Sequence, residues 1–120
     1  MNKFLPLLIL TYFIHANEIK FNAIDEHENG TLNVSFNLEQ VAYINSYALG
    51  NPSRLVLEIN DAYSKQPINE IYNYPIKKIR SSQDNNLTRV VIDLYDHVFW
   101  HKPLQKEIDS GVLMNIKLLK

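Results

Sequence analysis

Cysteine is absent from this chain of 120 residues. Its absence excludes a disulfide scaffold, a thiolate-bound zinc or iron–sulfur centre, a thiol nucleophile and a lipidated cysteine anchor. Glycine is scarce, at 3 residues, and no glycine-rich phosphate loop or Gly-x-Ser-x-Gly nucleophile elbow can be written from them. Neither sign of charge prevails: 12 Lys and Arg face 13 Asp and Glu, a net charge of −1. Without a basic field, nucleic acid is not an expected partner. Apolar residues at 46% and charged residues at 21% describe one ordinary folded domain, neither disordered nor polytopic.

Only one long apolar run is present. Met1-Asn2-Lys3 is a short basic start, Phe4 to Ile14 is apolar apart from Pro6, Thr11 and Tyr12, and Ala16 supplies a small residue after His15. This order is that of a secretory signal peptide over 1–16, with cleavage expected between Ala16 and Asn17. Eleven residues cover about 17 Å as a helix, too little for a hydrocarbon core of ~30 Å. The competing reading is a buried first helix. Residues 17–120 then form a single mature domain with no span long enough to cross a membrane. Asn29-Gly30-Thr31, Asn33-Val34-Ser35 and Asn86-Leu87-Thr88 read as glycosylation sequons, but 14 asparagines yield such triplets by chance. The expectation is a periplasmic protein of a Gram-negative bacterium.

The mature chain alternates with period two. Leu32, Val34, Phe36 and Leu38 alternate with Asn33, Ser35 and Asn37, as a half-buried strand does. Leu55, Leu57 and Ile59 repeat the pattern, as do Val90, Ile92 and Leu94, and then Val112, Met114, Ile116 and Leu118. Weaker strands fit Ile19–Ile24, Val41–Leu49, Ile76–Ser81 and His97–Lys102, with turn signals at Asn29-Gly30, Gly50-Asn51-Pro52, Asp84-Asn85-Asn86 and Ser110-Gly111. No window holds a helical period. An internal repeat runs through these strands: Ile19–Leu38 can be laid on Ile76–Leu94, and Leu55–Ile59 falls on Val112–Ile116 at a shift of 57. The fold class is therefore all-β, a two-sheet β-sandwich of about four strands per half, the halves stacking as two small sheets. The link from Asn60 to Pro75 is expected to be an ordered loop packed on the domain. Val34, Phe36, Leu38, Leu55, Leu57, Ile59, Val90, Ile92, Leu94, Val112, Met114 and Ile116 should point inward.

The stretch Val41-Ala-Tyr43-Ile-Asn-Ser-Tyr47-Ala-Leu49-Gly-Asn51-Pro52-Ser-Arg54-Leu-Val-Leu-Glu58-Ile59, with Ile76-Lys-Lys-Ile-Arg80-Ser-Ser-Gln83 and Thr88-Arg89-Val-Val-Ile-Asp93-Leu94, resembles the AMIN domain over essentially the whole mature chain. The resemblance implies a symmetric pair of small β-sheets in a periplasmic protein that attaches to the cell wall. Such domains stand beside peptidoglycan amidases, which they recruit to the division site, and in type IV pilus secretins. Three departures stand out: Glu58 replaces the usual Asp, Ser82 replaces the Gly before Gln83, and Gly111–Ile116 lacks the Arg and Asp of a closing repeat. Either a free-standing module or an excerpt of a longer protein fits this sequence.

The remaining chemistry favours binding over catalysis. His97 and His101 share a face of an expected strand but stand roughly 13 Å apart, too far to chelate one ion. No zinc set, triad or acid–base pair is legible, so no enzyme, metal or cofactor is expected. Arg54, Arg80 and Arg89 each sit where a strand begins or ends; a guanidinium fork matches the carboxylates of a peptide stem. The alternative is cross-strand pairing with Glu58, Asp61 or Asp93. Gln83 adds hydrogen-bonding capacity beside Arg80. Tyr95 and Trp100 are candidate sugar platforms, Trp100 if its strand turns that ring outward, whereas Tyr47 reads as core. Peptidoglycan is the expected ligand. The alternative partners are envelope proteins such as an amidase, divisome or pilus secretin component, docked through the edge of the last strand, Val112–Leu118.

Overall fold

The computed structural model describes residues 17–119; the expected signal peptide and its cleavage after Ala16 lie outside the described residues. Eleven strands follow one another: β1 (Asn17–Glu26), β2 (Thr31–Leu38), β3 (Ile44–Leu49), β4 (Arg54–Asn60), β5 (Ala62–Tyr63), β6 (Asn69–Ile71), β7 (Ile76–Asp84), β8 (Leu87–Leu94), β9 (Phe99–Trp100), β10 (Leu104–Ile108) and β11 (Gly111–Leu119). They build two sheets, one in the order β10-β11-β2-β1-β5 with β9 added to β11, the other in the order β3-β4-β8-β7-β6. Alternation decides which side chains meet between them. All twelve residues expected inward are at 6% exposure or less and belong to one core cluster. At roughly 1.5–3 kcal/mol for each large apolar side chain, this shared layer joins the sheets without a covalent cross-link.

The halves do not stack as one sheet each. The first sheet takes the β1–β2 hairpin from the first half and β10–β11 from the second; the other takes β3–β4 from the first and β7–β8 from the second. Each half is thus divided between the layers. The repeat also lies two residues away from the expected superposition. Leu55 pairs with Ile92, whereas Phe36, the counterpart of Ile92, pairs with Met114 and not with Val112. A shift of two preserves every face, so the hydrophobic pattern is blind to it.

Three local departures have physical causes. The region expected as one strand over His97–Lys102 is paired only at Phe99–Trp100, and a further strand follows Pro103. In that strand, β10, the apolar residues Leu104 and Ile108 are exposed, because the register with β11 turns Gln105 and Glu107 toward the core side. Gln105 uses this orientation: its amide accepts from the Ala42 N–H (2.9 Å) and donates to the Ala42 carbonyl (2.8 Å). Ala42 therefore bonds across the sandwich instead of extending β3, which starts only at Ile44. The 60–75 link is ordered and packed as expected, with Ala62 and Ile68 buried. It also supplies an edge strand to each sheet, β5 parallel to β1 and β6 antiparallel to β7. The last strand offers no edge for docking, because β11 lies between β10 and β2.

Candidate functional site

Arg54, Arg80 and Arg89 come together on one surface, the outer face of the β3-β4-β8-β7-β6 sheet. With Leu55, Leu57, Val90 and Ile92 buried inward, the period of two turns Arg54, Val56 and Glu58 of β4 and Arg89, Val91 and Asp93 of β8 outward. Register lines up Tyr47, Val56, Val91 and Arg80 as one row across four strands. Although they lie on the outer face, Val56 and Val91 are 3% and 7% exposed. They are flanked by Tyr47 and Arg80 in their own row and by ion pairs in the neighbouring rows.

Those ion pairs are cross-strand. Arg80 meets Asp93 with both prongs, Nε donating to Oδ2 at 2.7 Å and Nη2 to Oδ1 at 3.2 Å. Arg89 Nε donates to Glu58 Oε2 at 3.1 Å, and its Nη2 lies 3.8 Å from Asp84. The Tyr47 hydroxyl donates to the same Glu58 oxygen at 3.0 Å, and Asn45 reaches the other oxygen at 3.4 Å. The Tyr47 hydrogen bond, reinforced by those from Arg89 and Asn45, holds the Glu58 carboxyl below its ordinary pKa despite partial burial. The same bond raises the Tyr47 phenol above its ordinary value. Arg54 turns back on its own loop, donating to the carbonyls of Pro52 (3.1 Å) and Gly50 (3.3 Å). Two of the three guanidiniums thus pair across strands. Both side chains remain partly exposed, 46% for Arg80 and 34% for Arg89.

The other sequence candidates stand elsewhere. Gln83 acts as an internal tie: its amide nitrogen donates to the carbonyls of Ala62 (2.9 Å) and Asn85 (3.0 Å), and its oxygen accepts from the buried Thr88 hydroxyl (2.9 Å). Trp100 is half-buried against the core; the exposed ring of its strand is Phe99, at 70%. Tyr47 is likewise half-buried, its ring on the outer face and not in the core. Tyr95 is exposed, at the end of β8 that carries Asp93, and its ring stands 5.9 Å from that of Tyr74. Tyr74 is the aromatic the sequence did not single out, because it lies in a loop with no periodic signal. Asn17, expected as the first mature residue, is 3% exposed; its side chain donates to the Gln40 carbonyl and accepts from the Glu39 and Gln40 N–H groups. Among the described residues no three His, Asp or Glu side chains gather as a metal site, and no helix is long and apolar enough to cross a membrane.

The family model for the AMIN domain matches residues 18–112. The chain belongs to the AMIN domain family. AMIN domains are periplasmic modules that bind peptidoglycan and localise proteins to it, and they are non-catalytic accessories. The match spans the first copy of the repeat and the second as far as Val112, and so takes in strands of both sheets of this AMIN domain, including the arginine-bearing face. Comparison with curated proteins returns no match.

Proposed function

We propose that this AMIN domain is a non-catalytic module of the periplasm that attaches to peptidoglycan. The family match over residues 18–112 carries the reading. The outer face adds support: Arg54, Arg80 and Arg89 share one face of a sheet, and the paired Arg80 and Arg89 side chains remain partly open to solvent. Guanidinium forks suit the carboxylates of peptide stems. A ligand carboxylate would share Arg80 with Asp93 and Arg89 with Glu58, which favours a modest, reversible attachment. Export through a signal peptide over 1–16 belongs to the same reading, with Asn17 as the first mature residue.

Co-sedimentation with purified sacculi tests the proposal. The protein should pellet with sacculi and release no muropeptides, and Arg80→Ala should weaken pelleting. Turnover of sacculi would overturn the non-catalytic reading. Failure to pellet, together with retention by an envelope protein, would favour the docking alternative. N-terminal sequencing of periplasmic protein should begin at or within two residues of Asn17, and Ala16→Leu should block that processing.

A further inference from the structure

We propose that Tyr74 and Tyr95, with Lys77, Asp96 and the hollow beside them, form a saccharide site for a pyranose that carries a carboxylated branch. This inference rests on the wall-binding reading and names where and how the sugar is held. The two rings are 59% and 54% exposed and in contact, centroids 5.9 Å apart and planes tilted by 36°. They are anchored from below. The Tyr95 N–H donates to the Pro75 carbonyl at 3.0 Å, tying the end of β8 to the loop that bears Tyr74. The Tyr74 hydroxyl donates to Asp96 Oδ2 at 3.1 Å, and Pro75 itself is buried. The result is an aromatic platform kept in the open by backbone and side-chain bonds.

A pyranose has an apolar C–H face and a rim of hydroxyls, and that division matches this surface. The rings offer flat apolar area for the C–H face. At the rim, the Asp96 carboxylate accepts from hydroxyls; the Lys77 ammonium, which stands over the Tyr95 ring 5.0 Å from its centroid, meets the charged branch where it leaves the rings. From Lys77 a cavity of about 200 Å³ runs on between Pro52, Ser53, Lys78, Asp93 and Leu94. Its one carboxylate, Asp93, is already held by Arg80, which leaves Lys77 and Lys78 to set the charge of whatever enters. An anionic branch is the complement. The other aromatic candidates do not offer this combination: Tyr47 is half-buried, and Trp100 packs on the core.

Two glycans separate the parts of the proposal: chitotetraose, which is neutral, and a muramic-acid-containing tetrasaccharide released from sacculi by a muramidase and stripped of its peptide stems by an amidase, which carries free lactyl carboxylates. Each is titrated into the purified protein by calorimetry. Tyr74→Ala and Tyr95→Ala should each weaken both glycans by about tenfold, the loss of one stacking partner. Their thermal midpoints should stay near that of the wild type, because both rings are exposed. Lys77→Gln should weaken the carboxylated glycan and leave chitotetraose unchanged; an equal effect on both would overturn the assignment of the branch. Tyrosine variants that bind like the wild type, while the wild type still pellets with sacculi, would overturn this site and leave wall binding intact. A wild type that neither pellets with sacculi nor binds either glycan would remove both.

Discussion

Gln83 shows how one side chain can be read in two ways. In sequence it lies in a polar turn beside an arginine, which is what a binding residue looks like; in the fold it ties Ala62, Asn85 and the buried Thr88 together. Gln83→Ala leaves a buried hydroxyl without its acceptor, at a cost of about 1–3 kcal/mol. The thermal midpoint should therefore fall by several degrees, with sacculus binding of the folded fraction unchanged. Glu58 gives a second prediction, in pH. Its carboxyl titrates below the ordinary 4.5 in the folded chain, chiefly through the Tyr47 hydrogen bond, so on acidification the unfolded chain takes up this proton first. The stabilisation is fully present above the unfolded value and is lost as pH falls through the folded one. The midpoint of the wild type should drop more steeply than that of Glu58→Gln as pH is lowered from about 5. Parallel curves would assign the acid sensitivity to another carboxylate.

Strands are the scale at which the sequence was most legible. Twelve inward residues of β2, β4, β8 and β11 could be named from alternation, because a one-residue slip would bury Asn33, Glu58 or Asp93. Ile92→Ala should accordingly cost about 2–5 kcal/mol. Asp93→Asn should cost no more than about 1 kcal/mol, since its Arg80 partner is half in solvent; denaturant unfolding of the two variants measures the contrast. The β5 and β6 strands were not legible, because two or three residues paired only through backbone leave no periodic trace. Nor was β10, whose inward positions are polar, nor the division of each half between the sheets, since alternation reports faces and not neighbours. The site was legible as residue types more than as contacts: the arginines share a face, but Tyr74 carried no signal. One element boundary depends on glycine. Gly111 opens β11 at φ +144°, and a Cβ there would stand 2.5 Å from the Leu38 carbonyl oxygen, backbone of a central strand. Gly30, at φ +88°, has open space around it. Gly30→Ala should lower stability by about 1–3 kcal/mol of backbone strain, whereas Gly111→Ala adds a clash that cannot relax and should unfold the protein at a markedly lower temperature.

The longest open edge among the described residues runs along β1, which β5 covers only at Asn17 and Glu18. A bulge between Phe21 and Ala23 and the charge of Lys20 blunt it. Deleting Asn22, the extra residue of the bulge, keeps both flanking faces in place while flattening the edge. With Lys20→Val added, the protein should elute earlier from size-exclusion chromatography than the wild type, in proportion to concentration. The exchange of hairpins between the layers reaches further. Since neither half completes a sheet alone, the link between them is a tether whose short length sets an effective concentration of one half around the other, of millimolar order for flexible chains. Tryptic cleavage after the exposed Lys65 would abolish that tether without removing a buried contact. Folding would then become a bimolecular reaction: two fragments that hold together at high concentration, separate on dilution, and exchange with fragments of a second, isotopically labelled sample.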